Sequence, residues 1–323
     1  MRCLTVSCNP AIDTTYLLDR FEPGEINRVV RKVAGPGGKG NNVARVLTIL
    51  GHQSVATGFT GGHAGRFIEE SLGELGIEPA FVPVAGELRV CLTIVETETG
   101  IISEIREPGL AVTDQDADDL LDLVCRLATG VEVVVVSGSL APGLSPEFYA
   151  RLLGALRGLG ACVAFDSSGD GLRRGLAGQP DLVKPNTAEL EGLLGRAGSV
   201  TELIAFACQE LIGSVLAAEA TVLLSLGAAG AILIRAERAW QAMAPAVDAV
   251  NTVGCGDALL AGYLDARSRA AGDREALAQA VAVGTAAALQ EAIGVVSPAD
   301  VERLRRTVRV SEVGDGDAAS LDW

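Results

Sequence analysis

Val131-Glu132-Val133-Val134-Val135-Val136-Ser137 is an apolar run with no alternation across its four central valines. A strand with one wet face alternates apolar and polar residues, whereas a strand covered on both faces does not. The run therefore predicts an interior strand of a parallel sheet with helices on both sides. Working outward, short apolar runs read as further strands at 4–7, Cys162–Asp166, 182–184, 221–226 and Ala231–Ile234. Helical patterns separate them at 42–50, 145–159, Thr187–Leu194, 255–270 and 274–293. In the first helix Val43, Val46, Leu47 and Leu50 share one face. The second carries Ser145 at a predicted N-cap and Pro146 at N1. Strand–helix alternation of this kind implies an α/β fold with a doubly wound, mostly parallel sheet flanked by helices. Two β-branched segments, 27–33 and 89–105, break the rhythm, and the second folds back at Thr97-Glu98-Thr99-Gly100. They are expected to form a small β-sheet lid within about 10–33 and 88–108. One domain is expected over 1–310, with 311–323 a loose acidic tail.

Composition narrows the function classes. The chain has 323 residues, 49% of them apolar, enough for a large core. A net charge of −15 argues against nucleic acid as the main partner. It also requires any phosphate site to concentrate its own cations and backbone N–H groups. No uncharged apolar stretch is long enough to span a membrane. The amino terminus shows no signal-like apolar region, so a cytoplasmic location is expected. Seven dispersed cysteines with no CxxC pair read as buried free thiols in a reducing compartment. Only three basic residues are lysines (Lys32, Lys39 and Lys184), and two of these fall inside motifs.

Gly35-Pro36-Gly37-Gly38-Lys39-Gly40-Asn41-Asn42 lies between a strand and a helix pattern. It satisfies GxGxxG by letter, but no acidic residue follows between 52 and 68 to hold a ribose. The Walker pattern fails because Gly40 follows Lys39. What remains is a backbone that a polar ligand can approach, with a Lys and an Asn at a helix start. Gly254-Cys255-Gly256-Asp257 opens another helix, and its free amides and helix dipole make an anion hole. Asp257 in that first turn is placed to accept a proton from an attacking hydroxyl. Alternatively, it merely caps the helix. Lys184, Asn186 and Glu189 end a strand and begin a helix, where doubly wound folds bind ligands. Glu189 is suited to a magnesium-bound water. Ser225-Leu226-Gly227-Ala228-Ala229-Gly230 is a turn suited to a nucleotide's passage. His52 and His63 are far from these motifs and are expected at the surface or at caps. No GxSxG elbow supports a hydrolase.

In this order and spacing the four segments resemble the ribokinase-like (PfkB) carbohydrate kinase family. Asn9-Pro10-Ala11-Ile12-Asp13, Gly24-Glu25-Ile26-Asn27-Arg28-Val29, Glu107-Pro108-Gly109 and Ser137-Gly138-Ser139-Leu140-Ala141-Pro142-Gly143 are similar to its 1-phosphofructokinase and tagatose-6-phosphate kinase branch. The resemblance implies an ATP- and Mg2+-dependent kinase acting on a ketohexose phosphate. It implies that Asp13, Gly38, Lys39 and Asn42 bind sugar hydroxyls, and that Arg89 and Ser139 approach the sugar's phosphate. Asp166, Lys184, Asn186, Glu189, Ser225, Gly227 and Gly230 would line the nucleotide and metal side. Gly254, Cys255 and Gly256 would form the anion hole, with Asp257 the base. Cys255 replaces the usual Ala or Ser but keeps the amide, and Asn251 replaces the Asp that helps hold a monovalent cation in ribokinase-type members. Arg106 stands where the closest branch often has Asn. A homodimer joined through the lid is expected from its open strand edges. A kinase of an unphosphorylated sugar or nucleoside, and a non-catalytic sugar-phosphate sensor, remain open readings.

Overall fold

The computed structural model describes residues 1–313. Its main sheet runs, in spatial order, Arg309–Glu312, Ala239–Met243, Ala231–Ile234, Thr221–Ser225, Leu182–Val183, Cys162–Asp166, Val133–Ser137, Arg2–Ser7, Gln53–Thr60 and Glu78–Pro79, with Val82–Pro83 also on Gln53–Thr60. The strands from Glu78–Pro79 to Thr221–Ser225 are parallel, and the remaining three pair antiparallel. The valine run explains itself in this frame. Val134 and Val136 pack into one apolar layer with Leu120, Leu152 and Leu190. Val133 and Val135 pack into the opposite layer with Val43, Leu260 and Val283. Both faces of the strand are dry, so both sets of side chains are apolar.

The second sheet is the lid, ordered Arg31–Gly37, Ala11–Leu18, Arg89–Glu96, Ile102–Arg106. The expected strand at 27–33 is displaced toward the carboxyl side. Asn27 closes a turn instead: its Oδ1 accepts from the Glu22 amide (2.8 Å), and its Nδ2 donates to the Glu22 and Glu25 carbonyls. Side-chain-to-backbone bonding of this kind outcompetes β-propensity. The displaced strand runs into the glycine motif, with Gly35 opposite Asp13 and Gly37 opposite Ala11. Pro36 is tolerated because the strand is an edge.

Three other expectations are corrected. The helix expected over 145–159 spans Phe148–Leu156, because Ser145 Oγ accepts from the Glu147 amide (3.1 Å) and closes a preceding turn. The tail expected to be loose from 311 is ordered at its start: Ser311 and Glu312 pair with Gln241 and Trp240. Residues 314–323 lie outside the described residues. His52 is not at the surface, since its side chain is 8% exposed and its Nε2 lies 3.0 Å from Asp265 Oδ1. His63 is exposed, as expected. The strand Gln53–Thr60 and the helices Gly62–Glu74 and Pro298–Arg305 were not read from sequence. The seven cysteines are free thiols, but only Cys3 and Cys8 are buried as expected; Cys91, Cys125, Cys208 and Cys255 are partly buried and Cys162 is exposed. Among the described residues no helix is long and apolar enough to cross a membrane.

Candidate active site

The chain leaves strand Arg2–Ser7, builds the lid and Gln53–Thr60 on one side, then continues at Val133–Ser137 on the other. That reversal opens a crevice beyond the carboxyl ends of the strands. A cleft of about 770 Å³ lies there, bounded by the lid and by the mouth of helix Cys255–Ser268. Asp13, Gly38, Lys39, Asn42, Arg89, Lys184, Asn186, Glu189, Ser225, Gly227, Gly230, Gly254, Cys255, Gly256 and Asp257 all line it. Two expected residues do not. Asp166 is fully buried beneath the cleft. Ser139 stands off the wall, where its Oγ accepts from Asn9 Nδ2 (3.3 Å).

The helix mouth is set by Gly254, whose φ of +82° lies in the left-handed region where a Cβ is strained. A Cβ there would also come within 2.6 Å of Ile293 Cγ2. This turn leaves the first amides of the helix facing the cleft without a side-chain cap. Asp257, 5% exposed, accepts a hydrogen bond from Asn42 Nδ2 at 2.9 Å. Burial pushes its carboxyl up to about 7 against the pull of Lys39, with Asp166 adding to the rise. Burial likewise pushes the Cys255 thiol up to about 12, so it presents no thiolate at neutral pH, and its amide lies 3.4 Å from the Thr252 carbonyl. Asn251 is tied into the loop: its Oδ1 accepts from the Val253 amide and its Nδ2 donates to the Glu291 carbonyl.

Asp166 joins the two motif lysines. Its Oδ1 lies 3.1 Å from Lys39 Nζ and its Oδ2 lies 3.3 Å from Lys184 Nζ. Ser137 Oγ donates to the same carboxylate. Burial alone would raise Asp166, but Lys184 and Lys39 outweigh it and hold it below the usual range. Lys39 is raised in turn, since the charges of Asp166, Asp257 and Glu189 overcome its desolvation. Lys39 thus stays cationic on the cleft wall, and Lys184 Nζ is 3.4 Å from where a Gly256 Cβ would sit.

Asn186 and Glu189 form a capping box at helix Thr187–Leu194. One Glu189 oxygen accepts from the Asn186 amide (2.9 Å). The other has no protein partner among the described residues. Magnesium keeps most of its waters and takes only one or two carboxylates beside substrate phosphates. A single free carboxylate oxygen on the cleft wall therefore fits that ion.

On the lid, Gly37 is required because Asp13 passes so close that a Cβ would meet its carboxyl carbon at 2.1 Å. Burial pushes Asp13 up to about 6, moderated by the charge of Arg45. Arg45, 9% exposed on helix Lys39–Ile49, was missed from sequence. Only its place on the inner face of that helix could have signalled it. Arg89 donates to the carbonyls of Glu107 (3.1 Å) and Asn9 (2.8 Å). Cys91, Glu104 and Arg106 also border the cleft and were not anticipated as site residues.

The pfkB family carbohydrate kinase signature matches residues 7–299. The tagatose-6-phosphate kinase of Staphylococcus epidermidis is 32% identical over 314 residues, covering 96% of this chain and 99% of that protein. The structure of phosphofructokinase-2 from Escherichia coli in complex with substrates and products superposes with a TM-score of 0.86 at 29% identity, covering 95% and 98% of the two chains. That of a possible 1-phosphofructokinase from Thermotoga maritima gives 0.86 at 26% identity, covering 97% and 100%.

Proposed function

The chain belongs to the pfkB family of carbohydrate kinases, and on that premise we propose that it transfers the γ-phosphoryl of ATP to a ketohexose phosphate. Fructose-1-phosphate is the first acceptor to test, followed by tagatose-6-phosphate and fructose-6-phosphate, the classes that similar proteins are named for. The observation that carries the reading is a carboxylate held ready near neutrality, Asp257, at an uncapped helix mouth in the cleft that Arg89 also borders.

In this reading Asp13 and Asn42 orient the acceptor's hydroxyls. Asp257 takes the proton from the attacking hydroxyl as its oxygen bonds to the γ-phosphorus, while the bond from that phosphorus to the bridging oxygen breaks and ADP leaves. The amides of Gly254, Cys255 and Gly256 stabilise the equatorial oxygens of the group in transit, flanked by Lys184. Glu189 would hold magnesium through its free oxygen; the ion, when bound, screens charge on the phosphate oxygens. Arg89, held by two main-chain carbonyls, faces the acceptor's existing phosphate. Ser139 reaches the same region only through Asn9, which bonds both Ser139 and, by its carbonyl, Arg89.

The proposal includes a dimer. Ile101 and Ile105 are each 54% exposed at one lid edge, and Ile26 and Val30 are exposed on the loop at the other. Two copies pairing their lids would cover this surface. Sedimentation should give a dimer at micromolar concentration, and a monomer would remove that part.

A coupled ADP-release assay with the three ketohexose phosphates, and with fructose and tagatose themselves, tests the main reading. Turnover should require the phosphate. Equal turnover of the free sugars would overturn it.

A further inference from the structure

Resting on the reading of the acceptor as a sugar phosphate, we propose that Arg106 is a second arm of the acceptor-phosphate clamp. Glu104 holds this arm in waiting until a dianionic acceptor displaces it. The assignment begins with strand register. In the lid, Asp13 pairs with Cys91 and Cys91 with Arg106, while Thr15, Thr93 and Glu104 form the next aligned row. Side chains at these alternate positions share one face, and Asp13, Cys91, Arg106, Thr93 and Glu104 all border the cleft. Neighbouring strands are spaced by about 4.8 Å, so Asp13 and Arg106 stand about 10 Å apart at their backbones. That span accommodates one hexose-sized molecule, with its hydroxyls at the carboxylate and its charged end at the guanidinium.

The other cations on these walls are committed. Lys39 and Lys184 are bound to Asp166. Arg89 has donors on two main-chain carbonyls, and its Nε is buried without a partner. Its fork is fixed in place and only partly available. Arg106 is different. Its side chain is 64% exposed, and its Nε and Nη2 both donate to Glu104 Oε2, the Nε bond at 2.8 Å. An ion pair this exposed is weak and exchangeable. A phosphate dianion carries more charge than the carboxylate and matches the planar fork bidentately. An uncharged sugar offers nothing that outcompetes Glu104, so for it the pair stays closed. The pair therefore acts as a filter for charge at the acceptor end of the cleft.

The test is steady-state kinetics on the full chain, using the best acceptor among the three ketohexose phosphates. Arg106→Leu should raise the acceptor KM about 10- to 50-fold with the KM for ATP within twofold, and Arg106→Lys should recover part of the loss. Glu104→Gln should lower the acceptor KM two- to fivefold, because the competing charge is gone. Thermal melts establish that each variant is folded. An unchanged acceptor KM in folded Arg106→Leu would overturn the proposal. A Glu104→Gln variant that raises the KM as Arg106→Leu does would also overturn it, since the two residues would then be binding the sugar together. If the parent enzyme demands a phosphorylated acceptor while Arg106→Leu is unaffected, the clamp fails and the sugar-phosphate reading stands. If the parent accepts free sugar equally well, that reading fails first.

Discussion

The floor of the cleft and its lid both pair cations with carboxylates, but in opposite ways. On the floor, Asp166 is fully buried and each of its oxygens meets a lysine. On the lid, Arg106 meets Glu104 in the open. A buried pair cannot let go of one partner without leaving a charge in a low-dielectric interior, which costs about 3–5 kcal/mol. An exposed pair is worth about 1 kcal/mol or less and exchanges readily. On the proposed reading the floor holds cations still beside the helix mouth, and the lid trades partners. Fixed charges suit stabilisation of a transition state, which gains from not having to reorganise. Exchangeable charges suit selection of a substrate.

That contrast can be broken or sharpened by substitution. The largest effect should come from Asp257→Asn, which removes the proposed base at the floor. Turnover should fall by about 10³-fold, within the range for general-base catalysis. Acceptor binding, read by calorimetry, should persist, and near-parental turnover would remove Asp257 from the role. Asp166→Asn comes next. It leaves two lysines without their carboxylate and should destabilise the fold by about 3–5 kcal/mol in urea unfolding. A loss below about 1 kcal/mol would mean the floor is as loosely held as the lid. On the lid, Arg89→Ala should raise the acceptor KM about 10- to 100-fold, within the range for a lost charged hydrogen-bonding partner. The ATP KM should move far less, and equal shifts in both would refute the division of labour.

The smallest effect is in pH dependence. In the proposed role Asp257 works ionised, and burial raises its carboxyl to about 7. The kcat/KM should therefore decline as pH falls below about 7, with the limb absent from the residual activity of Asp257→Asn. The same shift has a stability sign. A carboxyl whose folded pKa is raised binds its proton more tightly in the native state, so its contribution to stability is full below about 4 and is lost as pH rises toward 7. Asp257→Asn should flatten that part of the stability profile.

Much of this architecture is legible along the chain. The valine run, the helix faces and the glycine pair around Cys255 each report a local condition: which faces are dry, and where the backbone must turn. Most of the site residues expected from motifs converge on one cleft, although the motifs come from the lid, from the main sheet and from the start of a helix. The misreadings have local causes too. Asn27 looked like part of a β-branched strand, but its side chain closes a turn. Ser145 looked like a helix cap and caps a turn three residues earlier. Glu189, read from sequence as a metal-side residue, also caps its own helix, one oxygen accepting from the Asn186 amide.

From sequence alone follow the layered α/β plan, the lid as a separate small sheet, and the helix mouth with its carboxylate. These depend on periodicity and turn chemistry, which act over a few residues. Only the tertiary structure decided that Asp166 lies between Lys39 and Lys184, that His52 is buried against Asp265, and that Arg106 stands in line with Asp13. Those pairings join residues from 18 to 213 positions apart. They depend on strand order and register, which are set by how whole faces pack together and leave no mark at any single position.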